Sequence, residues 1–291
     1  KVVLRNQRND RAYHQSRRHT KMRTTKSTRL ADYTPATRYL ALMLFLPALL
    51  AIGCVTITAG DHEDSGMTEE NPKNSFEVGS NPTIDVTSFN GEIVIITGVD
   101  GAIEVDTTLK IPSRIFYSAT KSGDTVTIVA KKTGSGISFG RSPQAQIHLV
   151  VPADTNVKAN TSNGQLNVNG VTGTGELDTS NGRIILTNVN GTYVASTSNG
   201  SVNMEDVSGQ FHIETSNGRI EFSGSFDENS DNDFSTSNGS IDIVFTTEPN
   251  LDLDARTVNG TIDSERPILV TTTEKNHLVG KYGSGSAELV L

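Results

Sequence analysis

Six times the chain writes nearly the same tetrapeptide: Thr161-Ser162-Asn163-Gly164, again from Thr179, Thr197, Thr215 and Thr236, and as Thr-Val-Asn-Gly from Thr257. The first four copies are 18 residues apart and the next two gaps are 21. A looser copy, Ser88-Phe89-Asn90-Gly91, lies upstream. A fixed period near twenty residues marks a stacked repeat, in which each unit is too small to bury a core by itself. The chain must therefore build its core between units.

Aligning the units shows what each one contains. Two positions after the Gly stands an apolar residue (Leu166, Ile184, Val202, Ile220, Ile241, Ile262), and two further on another (Val168, Leu186, Met204, Phe222, Ile243). Polar side chains often sit between them, as Asn167, Asn203, Glu221 and Asp242 do, so the spacing predicts a strand with one buried face. A Val-x-Gly turn follows at Val171/Gly173, Val189/Gly191 and Val207/Gly209, then a second strand carrying Tyr193 and Ala195 or Phe211 and Ile213. The turns are expected at Asn90-Gly91, Asn163-Gly164, Asn181-Gly182, Asn199-Gly200, Asn217-Gly218, Asn238-Gly239 and Asn259-Gly260. Both residue types tolerate positive φ, and stacked Asn side chains can form a hydrogen-bonded ladder.

No helical period persists between residues 76 and 291, so the class is all-β. The predicted architecture is a parallel β-helix, or solenoid, with about 18–21 residues per coil. An up-and-down antiparallel sheet would keep the same periodicity, because Asn-Gly between alternating runs is also a hairpin signal. The less regular residues 92–157 read as further strands, and Ala287–Leu291 as a last strand capping the stack.

The string from Gln146 through Val151-Pro152-Ala153-Asp154 and Val157 to Thr161-Ser162-Asn163-Gly164 resembles the putative-adhesin β-repeat family, in which a strand ending in Val-Pro precedes serial Ser-Asn-Gly turns. The resemblance covers about residues 76–291. It implies a right-handed β-solenoid in an exported or membrane-linked bacterial protein, and it brings no catalytic residues.

The front of the chain has a different character. Residues 1–38 hold 11 Lys/Arg against two Asp, a net of +9, and are followed by an apolar run from Tyr39 to Gly53 that ends at Cys54. A basic segment, an apolar segment and small residues before a possible cut make a secretory signal. Leu50-Ala51-Ile52-Gly53-Cys54 resembles a lipoprotein cleavage box, with Ala51 where that box usually has Leu. Cys54 is the single cysteine, so no intramolecular disulfide is possible and lipidation is its expected role. A retained transmembrane anchor over Tyr39–Thr58 is the alternative, as is an ordinary cleaved signal. Residues 55–75, with Asp61, Glu63, Asp64, Glu69 and Glu70, read as an acidic flexible tether, and 76–291 as the repeat domain.

From residue 39 onward 14 basic residues face 31 acidic ones, a net of −17 that argues against nucleic acid as a partner. No cofactor motif is present, and the six histidines lack partners at zinc-ligand spacing. Glu221, Asp242 and Asp263 occupy one column and could stack as the acidic strip of a polysaccharide-active enzyme; a solvated strand face is the simpler expectation. Asp227, Asn229, Asp231 and Asp233 alternate like the first half of a calcium loop, but Asn238 stands where the closing Glu would be. No catalytic residue is assigned. The expected function is a non-enzymatic binding or structural module of the cell envelope, anchored to the membrane through lipid and contacting glycan or an envelope protein. A regulatory partner in envelope-stress sensing is the alternative.

Overall fold

Eighteen residues on, the chain returns to the position beside its own start. Thr161 pairs with Thr179, Thr179 with Thr197, and Thr197 with Thr215, each time in parallel. The computed structural model describes residues 2–6 and 69–291, apart from 99, 135–140 and 266. Cys54, the apolar run and most of the tether lie outside the described residues.

In chain order the first strands are β1 (Val2–Asn6), β2 (Glu69–Glu70), β3 (Lys73–Glu77), β4 (Thr83–Thr87), β5 (Ile93–Thr97), β6 (Ala102–Lys110), β7 (Ile115–Ser122), β8 (Thr125–Lys132) and β9 (Gln144–Val151). The repeats supply β10 (Asn156–Thr161), β11 (Leu166–Asn169), β12 (Thr172–Thr179), β13 (Ile184–Thr187), β14 (Asn190–Thr197), β15 (Val202–Thr215), β16 (Ile220–Phe226), β17 (Asp231–Thr236) and β18 (Ile241–Phe245). The remainder are β19 (Leu251–Arg256), β20 (Ile262–Ser264), β21 (Leu269–Glu274), β22 (His277–Tyr282) and β23 (Ala287–Val290). Among the described residues the only helix is one 3-10 turn, Pro112–Arg114.

These strands form two parallel ladders. One runs β8-β4-β10-β12-β14-β15-β17-β23-β19. The other runs β9-β5-β11-β13-β15-β16-β18-β1-β20, with β15 turning the corner to serve both. Inward side chains from both ladders make one continuous core, with Ile84, Ile93, Leu166, Ile184, Val202 and Ile220 at 1% exposure or less. Its far half is aromatic: Phe222 packs on Phe211, Phe226, Phe234 and Phe245 at ring separations of 4.9–6.4 Å.

Antiparallel pairing is confined to the ends. β7 lies against β8, and β6 against β9 with β2 and β3 beyond it; at the other end β22 and β21 extend β19. Strands that reverse direction cannot continue the coil, and they cover edges that would otherwise template further pairing. The antiparallel alternative thus describes the two ends and not the repeats.

Three expectations need correction. Strand pairing reaches back to Glu69, inside the stretch read as a tether, because β2 and β3 pair along β6. The looser copy Ser88-Phe89-Asn90-Gly91 stacks with the others: β4 and β5 lie directly on β10 and β11, and the residues between them form the coil beneath and the antiparallel end. The sixth copy does not stack on the fifth, since β17 is separated from β19 by β23, and β18 from β20 by β1. Ala287–Leu291 therefore does not cap the stack but lies inside it. Burial explains the choice: Ala287 and Leu289 are 5% and 0% exposed there.

Candidate functional site

The Asn-Gly corners form a column along the rod. Each Asn Nδ2 donates to the Oδ1 of the Asn one coil back: Asn163 to Asn90, Asn181 to Asn163, Asn199 to Asn181, Asn217 to Asn199 and Asn238 to Asn217, at 2.8–3.0 Å. A second column lies beneath it, where Thr179, Thr197, Thr215 and Thr236 donate their hydroxyls to the carbonyls of Gly164, Gly182, Gly200 and Gly218. Asn259 and Gly260 belong to the unstacked sixth copy; the neighbouring Thr257 amide bonds Asn276 instead.

The glycines of this column are needed for a reason other than the one expected. Gly164, Gly182, Gly200, Gly218 and Gly239 do not have positive φ. Instead, a Cβ on any of them would stand 1.7–1.8 Å from the carbonyl oxygen of the preceding corner glycine. Left-handed backbone is found at the other corner, where Gly173, Gly191 and Gly209 have φ of 139°, 130° and 133°. Gly91 alone in the Asn column combines positive φ with a close approach, to Ala145 O.

The acidic column is divided. Glu221 and Asp242 are paired in register and share Arg219, at 3.1 and 3.7 Å, whereas Val3 of β1 stands between Asp242 and Asp263. Of the calcium candidates, Asp227 and Asn229 lie in the turn before β17, and Asp231 and Asp233 on its exposed positions. Asn229 has φ 59°, and its amide bonds Ser286 O. Among the described residues, no three His, Cys, Asp or Glu side chains gather as a metal ion would need.

What the repeats did not point to is a cleft of about 500 Å³ at the β9 end, on the outer face of β3, β6, β9 and β5. Register sets two rows across it: Lys73, Asp106, His148 and Val94, then Ser75, Glu104, Val150 and Ile96. One side is apolar, with Ile96 41% exposed, and the other carries charge, with Lys73 Nζ 2.6 Å from Asp106. Beneath the cleft Thr107 donates to the Tyr117 hydroxyl, which donates to Asn74 Oδ1 at 3.3 Å. Burial, aided by nearby Asp106, outweighs the Thr107 bond and raises the Tyr117 phenol above its ordinary value, so it stays a neutral donor that fixes Asn74 on the cleft wall. An apolar strip beside a paired charge can hold an amphipathic ligand in one orientation. The available signal was Ile93-Val94-Ile95-Ile96, which is apolar on both strand faces where a solvated face should alternate.

No curated protein matches the chain. Among solved structures it is similar to a putative cell adhesion protein from Clostridium sporogenes, at 9% identity and TM-score 0.31 over 77% of this chain and 93% of that one. A putative adhesin from Bacteroides fragilis matches at 16% identity and TM-score 0.28, over 60% of this chain and 97% of that one. A putative lipid binding protein from Parabacteroides distasonis matches at 14% and 0.29, over 61% and 97%. Likenesses at these scores carry nothing about function. Residues 154–291, which hold the serial Asn-Gly corners, match the family described as Toastrack DUF4097.

Proposed function

We propose that this chain is a non-enzymatic binding or adhesin-type module of the cell envelope, exported by its N-terminal signal and held at the membrane by lipid on Cys54. The observation that carries the reading is the cleft of Val94, Ile96, Val150, Glu104, Asp106 and Lys73, set on a stack braced from coil to coil. Such bracing presents side chains on a rigid surface, which lowers the ordering cost of binding. A glycan or an extended part of an envelope protein suits an apolar strip flanked by hydrogen-bonding groups. The stacked coils wind as a right-handed parallel β-helix in this reading, supported by the parallel 18-residue offset and the right-handed preference of parallel crossovers.

Three measurements test the proposal. Protease shaving of intact cells is expected to cleave the domain at the surface, or only after the outer barrier is opened if it faces the periplasm. Isolated envelopes are expected to retain added protein that lacks residues 1–54, and so carries no lipid, and to lose the same protein with Ile96→Asp/Val150→Asp at unchanged Tm. Equal retention of the variant would remove the cleft from the function. A glycan-cleaving activity abolished by substituting Glu221, Asp242 and Asp263 with Ala would make the protein an enzyme.

A further inference from the structure

The stacking of consecutive coils is interrupted by one extra rung, built from two segments remote in sequence. Half of it is β23, whose Glu288 is paired with Asp231 on one side and Asp252 on the other. The other half is β1. Its Val2, Val3 and Leu4 are in register with Ile241, Asp242 and Ile243 of β18 and with Ile262, Asp263 and Ser264 of β20. The Glu265 amide donates to Leu4 O at 3.0 Å, and Val3 and Leu4 are 5% and 1% exposed. The strand paired with β20 in register is β1.

β18 and β20 are thus the walls of a slot one strand wide. Strands held two spacings apart, roughly 9.6 Å, cannot bond each other, so both walls depend on what lies between them. The lining is apolar at alternate positions, Ile241, Ile243 and Ile262, and carboxylates stand beside it at Asp242, Asp263 and Glu265. The occupant is apolar over its buried length, with Val3 and Leu4 at 5% and 1% exposure, and in the sequence Val2-Val3-Leu4 is flanked by Lys1 and Arg5.

We infer that the slot between β18 and β20 is a strand-acceptor site for a short extended peptide segment of a partner envelope protein, parallel to its walls, apolar at its centre and basic at its flanks. β1 is the occupant that the chain supplies itself. Pairing on both edges gives affinity without sequence demands, and the alternate pockets select the pattern. The inference rests on the proposed export reading at one point: if residues 1–53 leave with the signal, the mature chain presents this slot vacant.

The full chain carrying Cys54→Ser, Val3→Cys and Asp263→Cys tests occupancy. Oxidation is expected to give an intramolecular disulfide, read by mass and by mobility of the monomer. A folded chain that forms no such link overturns the assignment; a linked dimer supports the acceptor with a second copy's β1 as the donor. The full chain with Leu4→Asp tests acceptance, using a fluorescent peptide of residues 1–6 as the probe. Saturable binding is expected, at least tenfold tighter than to the unsubstituted chain, whose slot is filled, and at least tenfold tighter than for the same peptide with Asp in place of its Leu. A Leu4→Asp chain that keeps its β-sheet circular dichroism and binds neither peptide sinks the proposal, and if that variant does not fold, the cross-link decides. The mass of the protein recovered from membranes reads removal of residues 1–53 separately, so failure of the export reading is distinguishable from failure of the slot.

Discussion

A Cβ on Gly200 would meet the Gly182 carbonyl oxygen at 1.7 Å, and that oxygen is backbone in the next coil, unable to step aside. Gly200→Val is therefore expected to cost at least about 2 kcal/mol, since overpacking a close-fitting site typically costs 1–3. Thermal unfolding checks it; an unchanged Tm would mean that the coils can separate at this corner without penalty. Asp254 supports a different prediction. The Arg256 guanidinium, bonded to it at 3.0 and 3.1 Å, and His277 at 3.0 Å hold its carboxyl below the ordinary 3.8, against a smaller opposing effect of burial. A depressed carboxylate stabilises the fold above its unfolded value, and the contribution disappears as pH falls through the lower folded value. Asp254→Asn should flatten the acid limb of the stability curve below about pH 4 and leave the limb above neutrality unchanged. The effect is small because the side chain is a third exposed. The corner residues show what was legible at this scale: the Asn ladder follows from period and chemistry. The reason for the glycines did not follow, because a contact between coils is not a property of one coil.

At the scale of the element, the segment lengthened by three residues between the fourth and fifth copies bonds a strand from elsewhere: the Asn229 amide donates to Ser286 O and the Glu288 amide to Ser230 O. Asn232, 2% exposed, ties the parts together: its Oδ1 accepts from the Phe211 amide at 2.9 Å, and its Nδ2 donates to Ser230 Oγ at 2.9 Å and Glu288 O at 3.1 Å. Asn232→Leu fits the apolar pattern of its neighbours but leaves the Phe211 N–H buried without that acceptor. We expect a loss of about 1–3 kcal/mol, with early proteolytic release of β23 as its local sign. Equal resistance of β23 in wild type and variant would show that Asn232 does not hold this rung. The polar ring of residues 227–233 suggested oxygen ligands, yet in the structure Asn232 turns inward and binds main chain. Binary patterning cannot foresee this, since a buried Asn is specified by its partners and Glu288 is 56 residues away.

For the whole molecule, stability should be close to a sum over coils and their interfaces. Deleting residues 182–199 joins Asn181 to Gly200 and removes one complete period, so the remaining strands meet in their present register. The shortened chain is expected to stay soluble and β-rich, with a modest loss in Tm. Deleting one residue fewer, 183–199, slips every later strand by one and exchanges its buried and exposed faces. That chain is expected to aggregate. Similar behaviour of the two deletions, read by solubility and circular dichroism, would overturn the coil register described above.

Period, alternation and corner chemistry are local properties repeated along the chain, so the sequence by itself determined that the domain is all-β, that it stacks in units of 18 residues, and which side chains face inward. The order of the stack was decided only in three dimensions. The looser copy at Asn90 was adopted as a full rung across a 73-residue jump, the copy at Thr257 was refused a place on its predecessor, and both ends of the chain were drawn into the gap. The cleft likewise joins β3, β6, β9 and β5, which no single period relates. The physical reason is the same in each case. A parallel strand edge accepts any segment that offers backbone hydrogen bonds and apolar side chains at the right spacing, and which one arrives depends on what else in the folded molecule can reach it.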